Sequence, residues 1–531
     1  MKARKPMRIL AAVLSLGVLL TGCSFGKEPD KSTQSAASGG TAPVKLTFFD
    51  LNAKDTTLSD PVAKEIVKKS GVTLELEQPT GDPNEKLNLM LGGNNYPDIV
   101  DMSLSTGIIE KYVNANALVP LDDLIDQYGP NIKKMYGDNL NKARSSDGKL
   151  YYLSNWYGED ETDVVSGFLM RHDILKELAG DKADNAKPFT QEEFINLLKD
   201  YKAKYPNGTP FTLRNDSSNE FLGHLKGMFG MKTYYNDNGT LSYDVRDPKY
   251  LTMLKFINEL YRDGLLEKEW VVNKTTLWTQ KLSSGNVFAS LGAYWDPVDA
   301  NTSLASTKGQ DSVFIGYNVV GDGIQPQDVT YGGMSSMGWD GIGITKNCKD
   351  PVAAIKFLDF LASEDGQYLM MWGVQGTDYT VENGKHVPNQ DVLKQLQSDP
   401  NAAIKSTGIG KYTWCIKNGA GSDGTFYDMV DSYQDDPVKE ASTKNLTGSY
   451  WDTAEYSSLA PQGSTPEGLK AQKLTDIETK AIPKIVDASS EAEMEQQYHQ
   501  MISDMDAAGM KDVEKVINDN YQARMKLWNT K

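Results

Sequence analysis

Hydrophobic positions in this chain come in short bursts whose period switches between two and about 3.6 residues. Val44 to Asp50 (VKLTFFD) reads as a strand, and Val72 to Glu77 (VTLELE) alternates as a half-buried strand does. Between them Asp60-Pro61 opens a helix over PVAKEIVKKS, which Gly71 stops. An Asp at the N-cap accepts from free backbone N–H groups, and a Pro at the first helical position has no N–H to leave unpaired. Asp82-Pro83 opens a second helix (NEKLNLMLGG), and Pro97 to Val100 is a short strand. Strand–helix–strand–helix–strand predicts an α/β lobe around a largely parallel sheet.

The same grammar recurs downstream. Thr190-Gln-Glu-Glu193 is a capping box ahead of Phe194, Leu197, Leu198 and Tyr201, one helix face. Tyr234 to Leu241 (YYNDNGTL) reads as a hairpin with a Gly turn. Asp247-Pro248 and Asp350-Pro351 open further helices, and Ser363 starts another (EDGQYLMMW). Pro466 to Ala488 and Glu491 to Asp506 carry helix formers and no strand pattern, so the C-terminal third is mostly helical. No repeat of 20–50 residues is present, which argues against a solenoid.

The N-terminus follows different rules. Residues 1–8 (MKARKPMR) are basic, and Ile9 to Leu20 is an unbroken apolar run. At about 1.5 Å per residue that run spans roughly 18 Å, short of the ~30 Å hydrocarbon core, so it is a signal-peptide core. It ends in Leu20-Thr21-Gly22-Cys23, which resembles the lipobox of bacterial lipoproteins. That resemblance implies removal of residues 1–22, lipidation of Cys23 and attachment to the extracytoplasmic face of the cell membrane. Residues 24–43, rich in Ser, Gly, Ala and Thr, read as a flexible tether.

Composition narrows the function. At 531 residues the length prior is about three domains, or two large ones. The net charge is −17, and loss of the basic leader leaves 51 basic against 72 acidic residues, a net −21. Nucleic acid is a poor partner for such a chain. Three Cys and four His, without zinc-site spacing, exclude a disulfide scaffold and the usual zinc enzymes. Cys348 and Cys415 read equally as a pair or as two separate buried thiols. There is no phosphate-binding loop, nucleophile elbow or kinase set. The one G-x-G-x-x-G match, Gly419 to Gly424, follows Lys417-Asn418 rather than a buried strand and reads as a loop. No cofactor is expected.

The informative residues are aromatic. Tyr outnumbers Phe 26 to 15, and several of the 9 Trp sit in polar turns. These are Trp156-Tyr157, Trp295-Asp296, Trp339-Asp340, Trp414 and Trp451. A pyranose offers an apolar C–H face that an indole covers and a rim of hydroxyls that a neighbouring carboxylate accepts from. Aromatic beside acid on a loop is what a sugar cleft needs, although any single Trp is also a candidate core anchor. Trp156, Trp295 and Trp339 rank first.

Seven stretches in order then point to one family: Asn88–Val100, Ala117–Asp126, Asp147–Leu153, Pro188–Leu198, Gly341–Lys346, Phe357–Gln367 and Gly373–Lys385. With the lipobox and tether, the chain resembles family 1 extracellular solute-binding lipoproteins, the maltose-binding-like receptors of ABC sugar importers, over nearly all of residues 44–531. The last stretch and the helical C-terminus resemble the subgroup that includes alginate-oligosaccharide-binding proteins. The resemblance implies a two-lobed α/β periplasmic-binding-protein fold of type II with about three hinge crossings, the first near 156–167 and the second near 338–343. It places one lobe at 44–160 plus about 342–400, and the other at 161–341 plus about 401–531. It implies a monomer that binds an oligosaccharide between the lobes, passes it to permease subunits and catalyses nothing. The subgroup's calcium loop falls at Tyr205 to Phe211, which lacks carboxylates, so no metal is expected there. Alginate binders place an Arg just before the second crossing, where the aligned stretch here is Met337-Gly338-Trp339-Asp340; an aromatic and an acid in its place favour a neutral sugar over an anionic one. The alternatives are a surface glycoside hydrolase and a receptor for a non-sugar polar solute.

Overall fold

The computed structural model describes residues 43–528, apart from 54, 146, 159–163, 217–218, 434–435, 462 and 464. The leader, Cys23 and tether residues 24–42 lie outside the described residues. Among the described residues no helix is long and apolar enough to cross a membrane.

Two sheets organise the chain. In the first, the strands Val72–Glu77, Val44–Phe49, Ile99–Ser103, Asp340–Ile344 and Leu153–Ser154 lie side by side in that order. The first three are parallel, and Asp340–Ile344 runs antiparallel to both of its neighbours. The parallel expectation therefore covers only the strand–helix–strand part of the sheet. In the second sheet the order is Phe314–Tyr317, Ser166–Arg171, Val287–Ala293, Thr209–Phe211. Ser166–Arg171 is antiparallel to both neighbours, so this sheet is mixed.

The predicted caps are formed. Asp60 accepts from the Ala63 N–H at 2.8 Å and Gly71 ends that helix in the left-handed region at φ 69°. Both halves of the Thr190–Glu193 capping box are made, at 3.2 and 2.8 Å. The expected hairpin pairs Tyr234–Asp237 with Thr240–Tyr243. The C-terminal helices are Pro466–Val486, Glu491–Ala507 and Met510–Trp528.

Each sheet has its own core. Leu46, Phe48, Ile342 and Ile344 anchor the first, with helix Pro351–Leu361 packed on it. Phe168, Met170, Phe211 and Phe288 anchor the second, which Leu474, Ile482, Met501 and Ile517 of the C-terminal helices cover. Membership of the two cores changes between Tyr157 and Val164, between Tyr331 and Met337, and between Val430 and Ala441, and the chain touches the first core again at Ala454 and Trp528. Two expectations shift as a result. Ala403, Ile409, Tyr412, Trp414, Ile416 and Met429, placed after residue 400 and so expected in the second lobe, pack on the first core. The second passage precedes residue 340, because Asp340–Ile344 is an inner strand of the first sheet.

The strand Gly332–Met334, at the second passage, pairs in parallel with Tyr450–Asp452. Asp452 accepts from the Ser336 N–H at 3.0 Å, the Ser336 hydroxyl at 2.7 Å, the Ala454 N–H at 2.9 Å and the Lys142 ammonium at 3.1 Å. The Gly158 N–H donates to the Ser336 carbonyl at 3.0 Å, so one carboxylate gathers segments from several parts of the chain. Cys348 and Cys415 are free and buried, so of the two readings the separate thiols hold.

Candidate functional site

Three carboxyls converge where the parallel strands of the first sheet end. Asp50 follows Val44–Phe49, Asp101 lies in Ile99–Ser103, and Asp340 opens the neighbouring strand with Ser103 as its partner. All three are buried. Asn52 sits over them. Its side-chain amide donates to Asp340 Oδ2 at 2.7 Å and to Asp101 Oδ2 at 3.2 Å, and its backbone N–H donates to Asp50 Oδ1 at 2.8 Å. Burial pushes the Asp101 carboxyl well above the usual carboxylate range, and the Asp340 and Asp50 charges push it further. Burial also raises Asp340 and Asp50, partly offset by the donors from Asn52 and Trp414.

Beside Asp340 two indoles stack. The Trp156 and Trp339 rings are 6.3 Å apart at 24°, and Trp339 is 50% exposed. Trp339 and Asp340, with Asn52, Ser103 and Ser105, form one wall of a groove of about 620 Å³. Tyr234, Tyr456, Ser457 and Ser458 line it from the other side, Tyr234 and Tyr456 packing with the second core. An exposed indole face beside hydroxyls and one carboxylate can cover a sugar ring and accept from its hydroxyls.

The sequence-predicted residues fare differently. Trp156, Trp339 and Asp340 come together. Tyr157 is fully buried and stacks on Tyr136 at 3.8 Å, so it is a core residue. Trp414 is also core: it packs against Phe48 at 5.1 Å, and its indole N–H donates to Asp50 at 2.9 Å. Its aromatic-rich turn resembled a cleft loop, but its neighbours Phe48 and Phe357 are distant in sequence. Trp295 is 49% exposed in the turn after Val287–Ala293, outside this groove wall. Asp296 accepts from the Ala293 N–H at 2.8 Å and pairs with Arg214 at 3.3 Å, which makes it a turn brace. Trp451 is half-buried, with its N–H on the Thr330 carbonyl at 3.1 Å and the Lys232 ammonium 5.0 Å from its ring. Sequence reasoning did not single out Asn52, Asp101, Tyr234 or Tyr456. Asp50 and Asp101 carried one usable signal, a polar residue at the carboxyl end of a strand in an α/β sheet.

The family profile described as "Bacterial extracellular solute-binding protein" matches residues 62–402. The chain belongs to that family. Among curated relatives, this solute-binding protein is 24% identical over 404 residues to Lipoprotein LipO of Bacillus subtilis (strain 168), covering 72% of this chain and 76% of LipO. It is 25% identical over 406 residues to the polygalacturonan/rhamnogalacturonan-binding protein YtcQ of the same organism, covering 74% and 77%. A shorter match, 24% over 287 residues and 49% and 52% of the two chains, is to the fructooligosaccharide ABC transporter substrate-binding protein FusA of Streptococcus pneumoniae (serotype 4). In fold, the solute-binding protein superposes on the alginate-binding protein AlgQ2, crystallised without calcium ion, with a TM-score of 0.62 at 20% identity, covering 90% and 98% of the chains. The two-lobed binding-protein fold is thereby shown.

Proposed function

We propose that this protein is the substrate receptor of an ABC importer and captures an oligosaccharide in the groove beside Trp339. The observation that carries the reading is the half-exposed Trp339 indole, backed by Trp156 and edged by Asp340 and Asn52. The relatives named for fructooligosaccharide and for polygalacturonan/rhamnogalacturonan binding support a glycan ligand. The lobes are residues 44–157 with 337–430 and residues 164–331 with 441–521, and closure about the passages traps the ligand. Cys23 carries the lipid anchor, which holds the receptor on the extracytoplasmic face beside its permease, where it works as a monomer.

Binding without chemistry fits the acid geometry. A glycosidase sets two carboxyls on either side of the scissile bond, about 5–9.5 Å apart. Here a single amide nitrogen of Asn52 reaches both Asp101 and Asp340, so the two acids stand on the same side of the groove. Among the described residues that line the groove beside Trp339 there are acceptors and no cation, which suits a neutral sugar unit at that end.

Titration calorimetry against a panel of oligosaccharides should give nanomolar to micromolar binding to at least one glycan, with no turnover on prolonged incubation. Trp339→Ala should weaken that binding by about 1–3 kcal/mol, the range for losing an aromatic anchor. Turnover of a bound glycan, or no binding across the panel, would reject the receptor reading.

A further inference from the structure

The groove does not end at Tyr234 and Tyr456. The same two rings form part of the wall of a second cavity of about 480 Å³, whose other lining includes Lys232, Tyr235, Asn236 and Lys249. The hairpin Tyr234–Asp237/Thr240–Tyr243 and the first turn of helix Pro248–Arg262 build it. The two cavities are therefore neighbours along one trough, and a ligand lying over Trp339 can continue past Tyr234 into the second.

The ends of this trough differ in charge. At the Trp339 end stands Asp340, above two further buried acids. At the other end are two ammonium groups. Lys232 lies over the Trp451 ring at 5.0 Å, and the Lys249 ammonium donates only to the Gly230 carbonyl, at 3.3 Å. Among the described residues that ring and that carbonyl are the contacts of the two ammoniums, in a chain whose acids outnumber its bases 72 to 55. The one acid in the wall, Asp247, is turned to its own helix: it is buried and accepts from the Lys249 N–H at 2.9 Å. Two ammoniums without a carboxylate partner, beside the half-buried rings of Tyr234 and Tyr235, are suited to accept an anion.

We infer that the cavity at Lys232 and Lys249 is a subsite for an anionic sugar unit, so that the oligosaccharide is of mixed type: a neutral unit over Trp339 and a carboxylate- or sulfate-bearing unit at the lysines. This rests on the receptor reading and names its substrate class. An anion at the Asp340 end would meet an acid where the other end offers ammoniums, so the trough also fixes the direction in which the ligand lies.

The test exposes the detergent-solubilised full chain to a mixture of neutral, uronate-containing and sulfated oligosaccharides. Retained species are separated with the protein and identified by mass spectrometry. The wild type should retain species with at least one anionic unit, and their masses say whether it is a uronate or a sulfate ester. The double variant Lys232→Ala/Lys249→Ala should lose those species by roughly tenfold or more relative to neutral ones, the scale of one charge-assisted hydrogen bond. Lys232→Arg/Lys249→Arg should keep them. Retention of neutral species alone, or an unchanged anionic set in the double Ala variant, overturns the subsite while leaving the receptor standing. Retention of nothing overturns both. Loss of anionic species in the lysine variant, with Trp339→Ala binding like wild type, keeps the subsite and moves the neutral end elsewhere.

Discussion

At Gly338 the backbone turns through φ 65°, and a Cβ there would stand 2.5 Å from the Trp156 carbonyl oxygen. The bare glycine lets the chain pass close enough for Trp339 to lie on Trp156. Gly338→Ala should therefore push the two indoles apart, weaken sugar binding and cost about 1–3 kcal/mol of stability, read by calorimetry and urea unfolding. Asp101 makes a separate prediction through pH. An acid whose folded-state pKa is raised holds more protons folded than unfolded, so its stabilisation is full below the unfolded value of about 4 and drains as pH rises through the raised one. Asp101→Asn keeps an acceptor for Asn52 and removes the buried charge. The melting temperature of the variant should fall less than that of the wild type as pH rises through and above the carboxylate range. Parallel curves would show that Asp101 is not the proton holder. Trp339 was legible as a site residue because an indole in a Gly-flanked polar turn has no helix stripe to join. Tyr157 and Trp414 look the same locally; what buries them is Tyr136 and Phe48, which no local pattern connects to them.

Among elements, those begun by Asp-Pro or a capping box were legible, since cap and breaker lie within a few residues of one another. The segments between the cores were harder to place. Gly332–Met334 and Tyr450–Asp452 are short, and each finds its partner more than a hundred residues away, so neither carries an alternation that predicts pairing. Asp452 decides how they meet. Its carboxyl lies below the usual range although burial works against it, because the donors from Ser336 and Ala454 and the Lys142 charge favour the ionised form. Asp452→Ala leaves those donors without their acceptor at the junction of the two cores. The expected cost is about 2–3 kcal/mol, the range for hydrogen bonds to a charged group, read as a lower urea midpoint. Asp452→Asn should lose less. A midpoint unchanged in the Ala variant would show that the strands hold the junction unaided.

At the scale of the whole molecule, the last helix touches both cores. Along most of Met510–Trp528, Val513, Ile517 and Tyr521 bury in the second core, and Asn518 exchanges hydrogen bonds with the Leu241 backbone at 2.8 and 2.6 Å. Toward its end Arg524 donates to the carbonyls of Ala454, Glu455 and Ser457, in the segment where the chain touches both cores. Finally the Trp528 ring lies 5.9 Å from the Lys142 ammonium, on the helix Asn139–Lys142 that belongs with the first sheet. A helix fixed on the second core and resting on the first is expected to limit how far the two part. Removing residues 522–531 leaves Val513, Ile517 and Tyr521 in place, so the second core should still fold. The sugar-free protein should then sample more open states, with a larger radius of gyration by small-angle scattering. Sugar binding should weaken, because a smaller fraction of molecules stands ready to close. With saturating sugar the radius should return to that of the intact chain, since the ligand itself bridges the lobes. An unchanged radius and affinity would make the helix end a passive cover of the second core.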